Sequence, residues 1–167
     1  MEKFQESFEK AKHYLKIADH MLSTTFPLIK DYNLIPLVVE NIFLALTNAL
    51  AALLHYELLF KRVPLFNETF DSKFKVFNKY CVRRYNFDKE ILDVMLSVKN
   101  IVLRHKKSPV EFSRKDKFVI CSDSYETLTV RLDDVKNYLH KTKIFIQEVH
   151  NIISRDERIF RRSKART

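Results

Sequence analysis

The stretch IPLVVENIFLALTNALAALLHYELLFKR, residues 35–62, decides the fold class. Wound as an α-helix, it carries Val38, Ile42, Leu46, Leu50, Leu53 and Leu54 together with Leu37, Phe43, Leu44 and Leu58, so apolar side chains cover nearly its whole circumference. A helix apolar on every side has to be surrounded. Pro36 falls in the first turn, where its missing N–H has no helical partner to lose, and Pro64 closes the segment. The uncharged part, Asn41 to Tyr56, is sixteen residues long and is interrupted by Asn41, Thr47, Asn48 and His55. That is too short and too polar for a membrane span, so the stretch reads as a central core helix.

Toward the N-terminus, Phe4, Phe8, Ala11, Leu15, Ala18 and Leu22 recur in steps of four and three, which predicts an amphipathic helix over residues 3–24 and then a loop around Pro27. Toward the C-terminus, Phe66, Phe70, Phe74 and Phe77 form a helical stripe whose spacing is that of packing. Asn86 is placed to cap a further helix through His105, with Ile91, Met95, Val98 and Val102 inward. Ser108-Pro109 breaks it. Phe118 to Cys121 and Tyr125 to Val130, rich in β-branched and aromatic residues, flank a Ser122-Asp123-Ser124 turn and predict a β-hairpin. Leu132 with Asp133 and Asp134 opens a last helix bearing Val135, Leu139, Phe145 and Val149. The expected fold is mainly α: a four- to five-helix bundle with one inserted β-hairpin (about residues 117–130). Residues 1–154 form a single domain, and residues 155–167 form a basic extension or tail.

None of the 167 residues is glycine, where average usage of roughly 7% predicts about a dozen. A Walker loop, a dinucleotide-binding glycine turn and a glycine-flanked nucleophile elbow are thereby excluded, and no nucleotide cofactor is expected. Cys81 and Cys121 stand far apart, with no second cysteine or histidine at zinc-finger spacing, so neither a disulfide framework nor a metal site is suggested. No other cofactor is called for. The N-terminus lacks an apolar segment behind basic residues, and with the unpaired thiols this points to a cytoplasmic protein.

The net charge of +9 is unevenly placed: residues 1–80 hold ten basic and nine acidic side chains, residues 81–167 twenty and twelve. Two clusters dominate. Arg104, Lys106, Lys107, Arg114, Lys115 and Lys117 crowd the fourteen residues from Arg104 to Lys117, with Phe112 among them, and Arg158, Arg161 and Arg162 lie in the final segment. Cations released from phosphates make such contacts favourable at low salt, so these nine residues are the candidate nucleic-acid-binding set, with a log–log salt slope of about −4 to −6. Asn41, Asn48 and His55 recur every seven residues on one face of the core helix. There they form a polar seam against a neighbouring helix or a dimer mate, or line a cleft with His55 as acid or base. His13 and His20 are two turns apart rather than the single turn that chelates one ion.

Three segments carry a family resemblance: the alanine-bearing helix from Asn41 to His55, the helix ending Val98-Lys-Asn-Ile-Val-Leu-Arg104, and the closing helix from Val135 to Val149. Together, over residues 4–153, they resemble a HEPN domain. The resemblance implies an α-helical bundle, commonly a homodimer, and in active members a metal-independent ribonuclease using an arginine and a histidine four to six residues later. Here Arg104 is followed at once by His105, and Pro109, Val110 and Glu111 occupy the later positions. The motif is not intact. The expectation is therefore a non-enzymatic binding module engaging RNA, a ribonucleoprotein or another polyanion. One alternative is a dimeric metal-independent ribonuclease using Arg104, His105 or His55; another is an antitoxin-like or assembly module acting through the aromatic helix.

Overall fold

The computed structural model describes residues 2–164, with side chains as far as Arg155. The chain is mainly helical with a small three-stranded antiparallel sheet. Helix α1 (Lys3–His20) passes through a π turn (Met21–Thr25) into α2 (Phe26–Ile29); a 3-10 turn (Tyr32–Leu34) leads into α3 (Ile35–Leu59). Then follow α4 (Phe70–Val76), a second π turn (Phe77–Cys81), α5 (Val82–Arg84) and α6 (Glu90–Lys107). Strands β1 (Val110–Arg114), β2 (Lys117–Cys121) and β3 (Thr127–Arg131) precede the closing helix α7 (Leu132–Lys164). The expected terminal extension, residues 155–167, is described only as the backbone of α7 to Lys164, and the side chains of Arg158, Arg161 and Arg162 lie outside the described residues.

Helix α3 is the centre, touched by α1, α4, α6 and α7. Leu46, Leu50, Leu53 and Leu54 have no solvent exposure, and neither do Ala45, Ala49 and Ala52 or Ala11 and Ala18 of α1. Small side chains on both helices let their axes approach closely while the leucines fill the other faces. The helical segment from Tyr32 to Leu59, 28 residues long, has the length and composition to cross a membrane. Yet 67% of its most apolar stretch is buried by the rest of the chain. It is longer than its sixteen-residue uncharged centre because Glu40 and Glu57 lie within the helix rather than at its ends.

Four local expectations are corrected. The loop predicted around Pro27 is helical as far as Ile29: the π turn, closed by Phe26 N–H on the Met21 carbonyl, absorbs one extra residue just ahead of Pro27. Asn86 does not cap α6. It has a left-handed backbone (φ 53) and ends α5, and the Asp88 carboxylate accepts from Glu90 N–H at 3.0 Å instead. The aromatic stripe becomes helical at Phe70 rather than Phe66, where Thr69 accepts from Ser72 N–H at 3.3 Å. The predicted hairpin is two strands of a three-stranded sheet, since Val110 to Arg114 pairs with β2.

Helix ends are closed without glycine. After α3, Lys61 N–H bonds the Leu58 carbonyl and Arg62 N–H the Glu57 carbonyl, both at 3.0 Å, with Lys61 itself left-handed (φ 55). Phe87 and Asn86 repeat this double bond after α5. It is the arrangement in which glycine is normally preferred at the left-handed position.

Candidate nucleic-acid interface

The register of the sheet decides which basic residues can act together. Arg114 lies opposite Lys117, and Lys117 opposite Arg131. Directly opposed residues in antiparallel strands project to one face, with Cβ atoms about 4.5–5.5 Å apart, so the three cations form a row across the sheet. The next row on that face is Phe112, Val119 and Thr129, and beyond it stand Val110, Cys121 and Thr127. Phe118, Ile120 and Val130 alternate to the opposite face and belong to the hydrophobic core, which leaves the cation face turned away from the helices. Phe112 is 42% exposed on it. Lys115, left-handed at φ 54, forms the β1–β2 turn at the cationic end with Asp116.

The other predicted cations are held elsewhere. Arg104 and Lys107, on the last turns of α6, line a recess of about 370 Å³ with Leu103, Ile120 and Ser122 to Ser124. Arg104 sits 4.0 Å from the Glu126 carboxylate. Because Ile120 is a core-facing residue, this recess lies on the inner side of the sheet and the Arg114 row on the outer side. Lys106 is exposed on α6. The six basic residues are thus not one cluster: Arg104 and Lys107 line the recess, Arg114, Lys115 and Lys117 gather at the outer end of the sheet, and Lys106 is placed with neither. Arg131, which the sequence reading did not single out, joins the outer group.

His105 is fixed rather than free. Its Nδ1 lies 2.7 Å from Glu111 Oε1, which projects from β1 on the inner side and ties the end of α6 to the sheet. The ring is half-buried, and its neighbour Arg104 opens onto the recess.

The polar seam on α3 is largely satisfied within its own helix. Asn41 Nδ2 donates to the Leu37 carbonyl at 2.9 Å and Asn48 Nδ2 to the Leu44 carbonyl at 2.7 Å, four residues back in each case. Asn41 also lies 4.0 Å from the sulfur of Met21 in the π turn. His55 is separate in function: its Nε2 is 3.2 Å from Glu68 Oε1, and its ring packs on Phe66. Burial pushes the imidazole below its usual pKa, against the upward pull of Glu68. Partial burial pushes the Glu68 carboxyl up, but Lys73 at 3.1 Å, with His55 and Lys3, holds it below the usual carboxylate range. None of the contacts of His55 is with Arg104 or His105.

The aromatic helix turns inward. Phe77 has no exposure and packs against Phe87 and Phe145; Phe70 meets Phe43 at 5.4 Å. Sequence reasoning passed over the most buried charge near it. Glu57 is fully buried, its carboxylate taken by Arg62, Arg84 and the Tyr85 hydroxyl, while Arg84 also donates to the Arg62 carbonyl at 3.4 Å. Burial raises the Tyr85 phenol, with Glu57 adding to the effect. Burial likewise pushes the Cys81 thiol up to about 12, so it is neutral and unreactive at ordinary pH. The signal in the sequence was an acidic residue in the last turns of an apolar helix, with Arg62 just after the helix and Arg84 further on.

Among the described residues no group of three or more histidine, cysteine, aspartate or glutamate side chains is placed to hold a metal ion. No protein-family model and no curated protein matches the chain.

Proposed function

We propose that the chain is a non-enzymatic binding module that engages single-stranded RNA, alone or on a ribonucleoprotein surface, through the outer face of its sheet. The observation that carries this reading is the cross-strand row Arg114, Lys117 and Arg131 beside the exposed ring of Phe112. Cations aligned across strands follow a phosphate backbone, and an adjacent aromatic ring gives an unpaired base a surface on which to stack. The scaffold under this reading is a HEPN-like helical bundle with the sheet inserted before its closing helix. The apolar α3, the arginine near the end of α6 and the long α7 support it, and a homodimer belongs to the same reading.

The test is binding of a labelled uridine 12-mer at increasing salt. Among the described residues Arg114, Lys115, Lys117 and Arg131 share the outer end of the sheet, so about four phosphate contacts at roughly 0.7 each give a log–log slope of about −3. This is shallower than a count over the whole basic segment suggests. A flat response, or equal binding after Arg114→Glu with Arg131→Glu, refutes it.

A second reading has one observation in its favour: the Glu111 carboxylate orients His105 next to Arg104, as a general acid–base imidazole beside a phosphate-binding cation requires. It predicts cleavage of RNA in EDTA that His105→Ala abolishes. Absence of cleavage by the parent protein rejects it.

A further inference from the structure

Strand β1 is an edge of the sheet, paired on one side only. The two-residue turn Lys115-Asp116 makes Arg114 and Lys117 a hydrogen-bonded pair, so Arg114, Phe112 and Val110 direct their backbone groups to β2. Glu111 and Ser113 direct theirs outward. Among the described residues no backbone hydrogen bond from elsewhere in the chain reaches them. Val110 and Phe112, 54% and 42% exposed, stand beside this edge, with Val119 opposite Phe112 and the 3-10 turn Tyr32–Leu34 close to β1 and β2.

We propose that this edge receives an extended acidic peptide as a fourth strand. Charge selects the occupant. Lys106 and Lys107 lead into β1, and Arg114, Lys115 and Lys117 close its far end, while Glu111 is engaged by His105. An unpaired edge flanked at both ends by cations disfavours a second copy of itself: antiparallel self-pairing about Phe112 sets Arg114 opposite Val110 and Lys115 opposite Pro109, which brings each copy's turn cations alongside the other's Lys106 and Lys107. Like charges gathered at the ends of a strand pair weaken it, and edge lysines are a common guard against self-association. A strand with carboxylates at both ends and a β-branched or aromatic centre meets the same edge with attraction at its ends and apolar contact at Phe112. Main-chain bonds to Glu111 and Ser113 supply the register. The inference does not rest on the RNA reading, although the two share Phe112 and the cations at the β1–β2 turn; what is specific to it is the outward backbone of Glu111 and Ser113.

The experiment uses the full chain and the peptide Glu-Glu-Thr-Val-Tyr-Val-Thr-Glu-Glu, followed by residue-resolved amide exchange and by fluorescence anisotropy. Saturating peptide slows exchange at the Glu111 and Ser113 amides about tenfold, whereas a peptide with lysine in place of glutamate does not. Ser113→Pro removes one outward N–H and spares the β1–β2 ladder; it weakens binding about three- to tenfold, with the circular dichroism spectrum unchanged. Lys107→Glu with Lys115→Glu, which leaves the backbone alone, weakens it about two- to fivefold per charge and flattens its salt dependence. Three results overturn the proposal: unchanged exchange at both amides, protection of those amides by self-association without peptide, or protection by a uridine 12-mer but not by the peptide.

Discussion

Replacing Arg84 by methionine tests what holds the C-terminal end of α3 in place. Methionine keeps the apolar stem of the side chain and removes the guanidinium with its charge and donors. Glu57 has no solvent exposure, so its carboxylate cannot turn to water when Arg84 is lost; Arg62 at 3.3 Å and the Tyr85 hydroxyl remain. Stranding a buried charge entirely costs about 3–5 kcal/mol, and with one arginine left the expected loss is about 2–3 kcal/mol. Glu57→Gln is the milder change. It removes the charge itself, and Arg62 and Arg84, each with 35% of the side chain exposed, can reach solvent, so the expected loss is about 1–2 kcal/mol. In the double variant no carboxylate is left to strand, and its cost falls short of the sum of the two by about 1 kcal/mol or more. Urea unfolding followed by far-ultraviolet circular dichroism measures all three. For a chain of this size Arg84→Met lowers Tm by about 5–10 °C. Should Glu57→Gln prove as costly as Arg84→Met, or the double variant be additive, charge stranding is not what makes the cluster matter.

Alkaline stability follows from Cys81. A thiol raised from 9.0 to about 12 in the folded chain stays protonated while the unfolded chain ionises, so its contribution is complete below pH 9 and is lost between pH 9 and 12. The slope is about 1.4 kcal/mol per pH unit, and Tyr85, also raised, adds to it from about pH 10; Cys81→Ala makes urea midpoints measured across that range less steep. Lys61→Gly relieves a left-handed residue at the end of α3 and stabilises by about 0.5–1 kcal/mol in the same assay, whereas Asn86→Gly changes little because asparagine already tolerates that backbone. Arg131→Ala weakens uridine 12-mer binding about as much as Arg114→Ala, although it lies fourteen residues beyond Lys117, and Arg104→Ala has a smaller effect. Phe112→Ala lowers affinity for the same RNA by about 1–3 kcal/mol with no change in salt slope.

The helices were legible because their apolar periods are long. Residues 35–62 announced a buried helix, and the observed Ile35–Leu59 is that helix, closed by the turn through Lys61 and Arg62. Strand β1 was hidden by its charge. Val110 and Phe112 alternate with Glu111 and Ser113 as a strand requires, but the basic residues around them read as a solvated loop. Arg131 lay one residue beyond the predicted hairpin; the β2–β3 register places it beside Lys117, and β1 adds Arg114 to that row. The polar residues of α3 were identified correctly by position, yet periodicity says nothing about acceptors: Asn41 and Asn48 bond the carbonyls of their own helix. Glu57 was missed for a similar reason, as its partners come from two separate later segments.

The place of α3 in the chain also sets an order of events during synthesis. It is complete by Leu59, when only α1 has been made to lie against it, whereas α6 and the buried part of α7 follow as far as Ile153. At ordinary translation speeds those remaining ninety or so residues take on the order of 5–20 s. For that interval a segment as apolar and as long as a membrane helix stands half-covered at the ribosome. Nascent chains arrested after α3 has cleared the ribosome but before α7 is made will therefore recruit holding chaperones or membrane-insertion machinery, and full-length chains released from the ribosome will not.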